Sequence, residues 1–197
     1  MKKITGIILA GGKSSRMGRD KSFIRLGNKE LIGVVIDKLE ALFKDLIIVT
    51  NNPPRYQKYA LRTVTDVLKG RGPLGGIYAG LLASDSPYNF VVACDMPNLN
   101  PELIKYMIKE KNGFDVVVPH LKKGYEALFA VYSKSCIMPI YEAIRSENLR
   151  VRDFFKKVNV RELKEGEIKR FGSPDILFMN INTPLDYTKL SLSDLKR

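Results

Sequence analysis

Four short apolar runs rich in β-branched residues set the frame: residues 4–10 (ITGIILA), 46–50 (LIIVT), 90–93 (FVVA) and 116–118 within DVVVP. None alternates polar with apolar residues. Each therefore suits a strand buried on both faces, the situation of a parallel sheet covered by helices on either side. Segments with helical spacing lie between the runs at 30–43 and 75–83 and beyond the last run at 134–145. Asn100 and Pro101, followed by Leu103, Ile104, Met107 and Ile108 on one face, predict a capped helix. Residues 150–157 predict a shorter helix, 127–132 (ALFAVY) a further strand, and 190–197 a terminal helix or frayed end. Alternating strands and helices, with no internal repeat, low-complexity stretch or linker, predict one α/β domain spanning residues 1–197.

Several function classes fall away on the same page. The apolar runs are far shorter than the roughly 20 residues that cross a bilayer, and Met1-Lys2-Lys3 leads straight into a strand rather than a signal peptide. The expectation is a cytoplasmic protein with no membrane partner. Cys94 and Cys136 lie far apart in apolar surroundings and form no CxxC, which predicts reduced thiols. His120 is the sole histidine, so no multi-histidine zinc site can form, and a surface or loop position is expected for it. Thirty-three Lys and Arg against 21 Asp and Glu leave a formal charge of +12, which favours anionic partners. The lysines are dispersed without interleaved aromatics, as in a general basic surface rather than a nucleic-acid stripe.

The stretch GIILAGGKSSRMGRDK, residues 6–21, concentrates the chemistry. A P-loop needs four residues between its first glycine and Gly-Lys-Ser; here five separate Gly6 from Gly12, and Gly6 lies inside the strand. No G-x-G-x-x-G fits either. What remains is a strand ending in Gly11-Gly12 and a basic loop carrying Lys13, Ser14, Ser15, Arg16, Arg19 and Lys21. Glycines allow backbone N–H groups close to phosphate oxygens, cations neutralise them, and the carboxyl end of a parallel strand is where open α/β sheets place ligands. The reading is a polyphosphate cradle; the alternative is a basic surface loop.

Three further constellations sit where strands should end. Asp66 follows RTVT and precedes GRGPLGGI, a second glycine-rich loop ahead of a helix. Asp95 follows a buried strand in VVACDMP; a strand-end carboxylate beside a polyphosphate loop suits Mg²⁺, which takes one or two carboxylates plus phosphate oxygens and water. Helix capping or a turn is its alternative role. Asn180 and Asn182 alternate with apolar residues in FMNINTP, so both amides are expected on one face, for ligand, metal or a turn before Pro184.

LAGGKSSRMGRDK, GPLGG, CDMP and NINTP, in this order and at these separations, resemble the molybdenum cofactor guanylyltransferases over essentially the whole chain. The resemblance implies a Rossmann-like three-layer α/β/α nucleotidyltransferase domain of the glycosyltransferase-A type with a mostly parallel sheet. It implies Mg²⁺ as cofactor, and as reaction the transfer of GMP from GTP to the phosphate of molybdopterin, with release of pyrophosphate. Transient contact with cofactor-insertion and cofactor-accepting proteins goes with it, and no nucleic acid. Position by position, Leu9, Ala10 and Gly11 would line the nucleotide pocket, and Gly12 would start the turn over the phosphates. Lys21 would contact the GTP phosphates, Asp66 would contact the nucleotide, and Asp95 would hold Mg²⁺ and touch GTP; from the chemistry, Arg16 is expected to join Lys21 in stabilising charge on the triphosphate as it breaks. Asn180 and Asn182 would serve the reaction or the pterin side. Where some members have Asn after the second strand, this chain has Thr50, followed by Asn51 and Asn52. The rivals are a CTP- or UTP-using relative, to be told apart by an NTP panel, and a GTP- or RNA-binding module without transfer activity, to be told apart by a steep salt slope in RNA binding.

Overall fold

The computed structural model describes residues 4–11, 21–68, 70–183 and 186. Gly12, Arg16 and the rest of the basic loop up to position 20, and the expected terminal helix at 190–197, lie outside the described residues. β1 (Ile4–Leu9) is followed, past a 3-10 turn at Lys21–Phe23, by a small hairpin of β2 (Arg25–Leu26) and β3 (Lys29–Glu30), then α1 (Leu31–Glu40) and β4 (Asp45–Val49). A 3-10 segment at Pro53–Tyr59 leads to β5 (Arg62–Val64), α2 (Gly72–Ala83), β6 (Tyr88–Ala93) and α3 (Pro101–Lys109). Next come β7 (Val116–Leu121), β8 (Gly124–Tyr125), β9 (Phe129–Ser133), a 3-10 turn at Lys134–Cys136 and α4 (Ile137–Arg145). A 3-10 segment at Val151–Lys157, then β10 (Val160–Lys164), α5 (Glu165–Ile168) and α6 (Pro174–Leu177) follow.

The main sheet has the order β10-β7-β9-β6-β1-β4-β5, with β8 hydrogen-bonded to β7. β1 pairs in parallel with β4 and β6, β4 with β5, and β10 with β7. β9 runs antiparallel to both its neighbours, so β6 and β7 point the same way. One sheet edge thus collects the carboxyl ends of six strands, among them β1, β5 and β6.

Alternate side chains of the doubly buried strands feed two cores, which makes three layers. Ile8, Ile48, Phe90 and Val92 pack with Ile32, Val35 and Leu39 of α1 and Leu103, Ile104 and Met107 of α3. Ile7, Leu9, Ile47, Val49, Val91 and Val118 pack on the other face with Leu74 and Ile77 of α2 and Ile140 and Ile144 of α4. Asn100 caps α3 as its sequence predicts, accepting from the N–H groups of Glu102 and Leu103. α2 lies close on the sheet through its glycines: a methyl group at Gly80 would come within 2.7 Å of Ile7 Cγ2.

The structure departs from expectation in places with simple causes. α2 begins at Gly72 rather than at 75, because Pro73 fits the first turn, where its missing N–H costs nothing. Of residues 150–157, Val151–Lys157 form a 3-10 segment rather than an α-helix. His120 is not in a loop: it lies in β7, half-buried, stacked on Tyr125 with ring centroids 4.1 Å apart and 3.0 Å from Glu162 Oε2. Glu162 also accepts from Tyr125 and Lys164, and these donors hold its carboxyl down at about 2. Both cysteines are buried, and burial pushes the Cys136 thiol up to about 12, far from a reactive thiolate. Among the described residues no helix is long and apolar enough to cross a membrane.

Candidate active site

The candidate site is built on the carboxyl edge where β1 and β6 end side by side. Leu9 and Ala10 are both buried; the Leu9 side chain turns into the core against α2, so these two can face a ligand mainly through backbone. Gly11 is the exposed member of the trio, and space remains open where a Cβ would stand, 3.9 Å from the Asn51 nitrogen at the end of β4. Thr50 is buried and its hydroxyl accepts from the Asn52 N–H, whereas Asn51 is exposed beside Gly11.

β6 reaches this edge through Cys94, whose N–H bonds the Leu9 carbonyl at 3.1 Å, and delivers Asp95 one residue later. Burial pushes the Asp95 carboxyl above the usual range, and the positive charge of Lys21 pulls it back in part. Lys21 opens the 3-10 turn at Lys21–Phe23 and donates through Nζ to Asn182 Oδ1. The segment carrying Asn182 is strapped down beside it, since the Ile181 N–H bonds the Asp95 carbonyl at 2.8 Å. Asp186 holds the strap further on, accepting from the N–H groups of Asn182 at 3.0 Å and Thr183 at 2.9 Å. Lys21, Asp95 and Asn182, distant in sequence, therefore converge at one point.

The segment around Asn180 makes no strand pairing, but exposure alternates along it, with Asn180 and Asn182 exposed on either side of the buried Ile181. Asn180 is exposed, and Asn182 alone of the pair is tied to Lys21. Asp66 stands apart, beyond the end of β5, three strand positions from β6 and so roughly 14 Å away along the edge. Its Oδ1 is buried with no hydrogen-bond partner among the described residues, and burial raises its carboxyl, against a hydrogen bond from the Leu68 backbone. An orphaned buried carboxylate oxygen is costly, and ligand groups are one way to satisfy it.

Sequence reasoning missed Tyr56. It lies in the polar stretch PPRYQKY and is fully buried under the site, with its hydroxyl 3.3 Å from the Ala10 carbonyl and 3.1 Å from Ser22 Oγ. No spacing signal marks it, because a single aromatic among polar residues reads as an exposed turn.

Residues 6–163 match the MobA-like NTP transferase domain family. The probable molybdenum cofactor guanylyltransferase of Pelotomaculum thermopropionicum is 39% identical over 96% of this chain and 92% of its own length. The molybdenum cofactor guanylyltransferase of Desulfosudis oleivorans is 36% identical over 96% and 95%. The chain belongs to the molybdenum cofactor guanylyltransferase family. In three dimensions, molybdopterin-guanine dinucleotide biosynthesis protein A from Archaeoglobus fulgidus superposes with a TM-score of 0.81 at 27% identity, covering 98% of this chain and 100% of that one. A guanylyltransferase of this family is a nucleotidyltransferase, and its mostly parallel three-layer α/β/α fold is the one the sequence predicts.

In this guanylyltransferase-family chain, the GPLGG stretch has a spatial reason. A methyl group at Gly75 would stand 2.8 Å from Asp66 Oδ1 and 3.0 Å from both Asp66 Oδ2 and Arg71 Cβ. Glycine is the residue that lets the Asp66 carboxylate lie against the first turns of α2. Gly75→Ala is expected to swing that carboxylate aside with little loss of stability and to raise the KM for nucleotide about tenfold. Steady-state kinetics with a thermal melt on the same sample measure both. An unchanged KM would mean that the Asp66–Gly75 contact does not shape the nucleotide site.

Proposed function

We propose that this chain, acting as one domain over residues 1–197, transfers GMP from GTP to the phosphate of molybdenum-loaded molybdopterin and works in the cytoplasm. An acceptor phosphate oxygen forms a bond to the α-phosphorus, the bond from that phosphorus to the bridging oxygen breaks, and pyrophosphate leaves. The observation that carries the reading is the convergence of Lys21, Asp95 and Asn182 at the carboxyl edge immediately beside the exposed Gly11. The family membership and the buried thiols Cys94 and Cys136 support the reaction and the compartment respectively.

The site residues fit Mg²⁺. Among the described residues no cluster of three or more His, Cys, Asp or Glu could cage a metal, and Asp95 offers hard oxygen donors at a partly desolvated strand end. One carboxylate, with phosphate oxygens and water completing the shell, is how Mg²⁺ binds in nucleotide sites. Mg²⁺ when bound would neutralise negative charge on the GTP phosphates at Asp95. The acceptor phosphate is already an anion, so no strong base is required, and the chemical difficulty is bringing two anions together.

The residues divide that task. Lys21 draws charge from the triphosphate as pyrophosphate leaves, assisted by Arg16, and Asn182 fixes the Lys21 ammonium from the far side. Leu9, Ala10 and Gly11 line the nucleotide pocket, and Gly12 starts the turn over the phosphates. Asp66 and the exposed Asn51 meet the nucleoside end, displaced along the edge toward β4 and β5, and Asn180 serves the pterin side. The excess of positive charge suits two polyanionic substrates and transient contact with proteins that insert or accept the cofactor.

The test is incubation of the purified chain with Mg²⁺, molybdenum-loaded molybdopterin and each of the four NTPs in turn. Pyrophosphate release with GTP, and the guanine dinucleotide product by mass spectrometry, are expected. Preference for CTP or UTP, or no pyrophosphate from any nucleotide, contradicts the proposal.

A further inference from the structure

A buried chain of polar side chains runs directly beneath the residues to which the proposed function assigns the chemistry. Tyr56, wholly buried, approaches the Ala10 carbonyl at 3.3 Å and Ser22 Oγ at 3.1 Å, and Ser22 Oγ lies 3.2 Å from Cys94 Sγ. Ser22, 1% exposed, and Cys94, 8% exposed, are as enclosed as the aliphatic core. The phenol can donate to the Ala10 carbonyl or to Ser22, and in the contact between Ser22 and Cys94 either group can be the donor. Either polarity links the three segments in series.

The sequence neighbours of these links give the chain its meaning. Ser22 follows Lys21 directly, Cys94 precedes Asp95, and Ala10 precedes Gly11. Tyr56 belongs to the 3-10 segment Pro53–Tyr59, seated by ring contact with Phe23 at 5.1 Å, with the Arg55 guanidinium 4.1 Å from the centre of that same ring. A segment that follows β4 thus reaches under the site, touches the residues adjacent to Gly11 and Lys21, and connects through Ser22 to the residue adjacent to Asp95.

We propose that Tyr56 is a positioning residue, whose buried hydroxyl, through Ser22 and Cys94, fixes the spacing between Lys21 and Asp95. The inference rests on the proposed nucleotidyl transfer and adds a residue that does not touch substrate. A lysine on a short turn and an aspartate at a strand end are joined by the Ile181–Asn182 strap, and the hydroxyl chain adds a second, buried link between them. Displacements near 1 Å at a reacting centre cost large factors in rate, so loss of the brace falls on turnover rather than on substrate capture.

Tyr56→Phe removes one oxygen and keeps the ring contacts. With the transfer assay, kcat is expected to fall about tenfold while KM for nucleotide stays within about twofold. Ser22→Ala, which breaks the middle link without touching a ring, is expected to behave alike and serves if Tyr56→Phe melts early. The deciding measurement is the double variant: in a Lys21→Ala background Tyr56→Phe should have no further effect on kcat, because the residue it positions is gone. Independent, multiplying effects of the two substitutions, or single variants with wild-type kcat, overturn the proposal. The ratios are taken on whichever NTP the wild type turns over. A preference for another base therefore contradicts the assignment of GTP and leaves the brace to be judged on its own ratios.

Discussion

Asp95→Asn is expected to lower kcat by about 10²–10³-fold while leaving a cooperatively folded protein. The carboxamide matches the carboxylate in volume and removes the negative charge that would hold the cation and set the local field. Stability should move the other way. The folded-state pKa of Asp95 is raised by burial, so the folded chain binds this proton more tightly than the unfolded chain does. Stability contributed here is therefore greatest at acid pH and declines as pH rises through the raised pKa. At neutral pH the ionised carboxylate is a cost, and the variant should melt at or above the wild-type temperature. Activity has the opposite dependence, since the working form is the ionised one: kcat/KM should fall as pH drops through the same raised pKa. A variant that retains wild-type turnover refutes the assignment, and one that melts well below wild type assigns Asp95 a mainly structural role.

Lys21→Ala is expected to reduce kcat about 10²-fold with a smaller change in KM for GTP. The reason lies in where charge develops. Pyrophosphate gains negative charge as the bond to α-phosphorus breaks, so a cation placed there stabilises the transition state more than bound GTP. Asn182 holds the Lys21 ammonium through a hydrogen bond from one side and the Asp95 charge attracts it on another, so little reorganisation is needed. Rapid-quench measurement of the transfer step separates this effect from product release. A tenfold rise in KM with kcat unaltered would turn Lys21 into a binding residue only.

The sequence discloses what burial on both faces imposes. β1, β4, β6 and β7 are continuous apolar runs because helices cover both sides of the sheet, and their location needs no other information. β5 and β10 were not foreseen for the complementary reason. They are the two edges of the sheet, and RTV and VRELK carry polar residues toward solvent, which hides the strand pattern. ALFAVY announces β9 but not its antiparallel direction, since an apolar run has no polarity along the chain. At the site, Gly11, Asp66 and Asp95 stand at strand ends and Lys21 on a short 3-10 turn, all in recognisable motifs. The hydrogen bond between Lys21 and Asn182 spans 161 positions and the approach of Asp66 to Gly75 depends on the placement of α2; both are products of tertiary packing. Tyr56 is the extreme case, an aromatic in a polar turn whose burial follows only from the assembly of three loops around it.

The central claim is that a nucleoside triphosphate lies along the carboxyl edge with its divalent cation on Asp95. Its most direct test is a crystal structure with Mn²⁺ and a GTP analogue that cannot be cleaved between the α- and β-phosphates, using the anomalous signal of manganese to locate the metal. The account predicts the metal within coordinating distance of an Asp95 carboxylate oxygen, phosphates over Gly11 with Lys21 against them, and the nucleoside toward Asp66. Manganese bound away from Asp95, or a nucleotide on another face of the sheet, contradicts it.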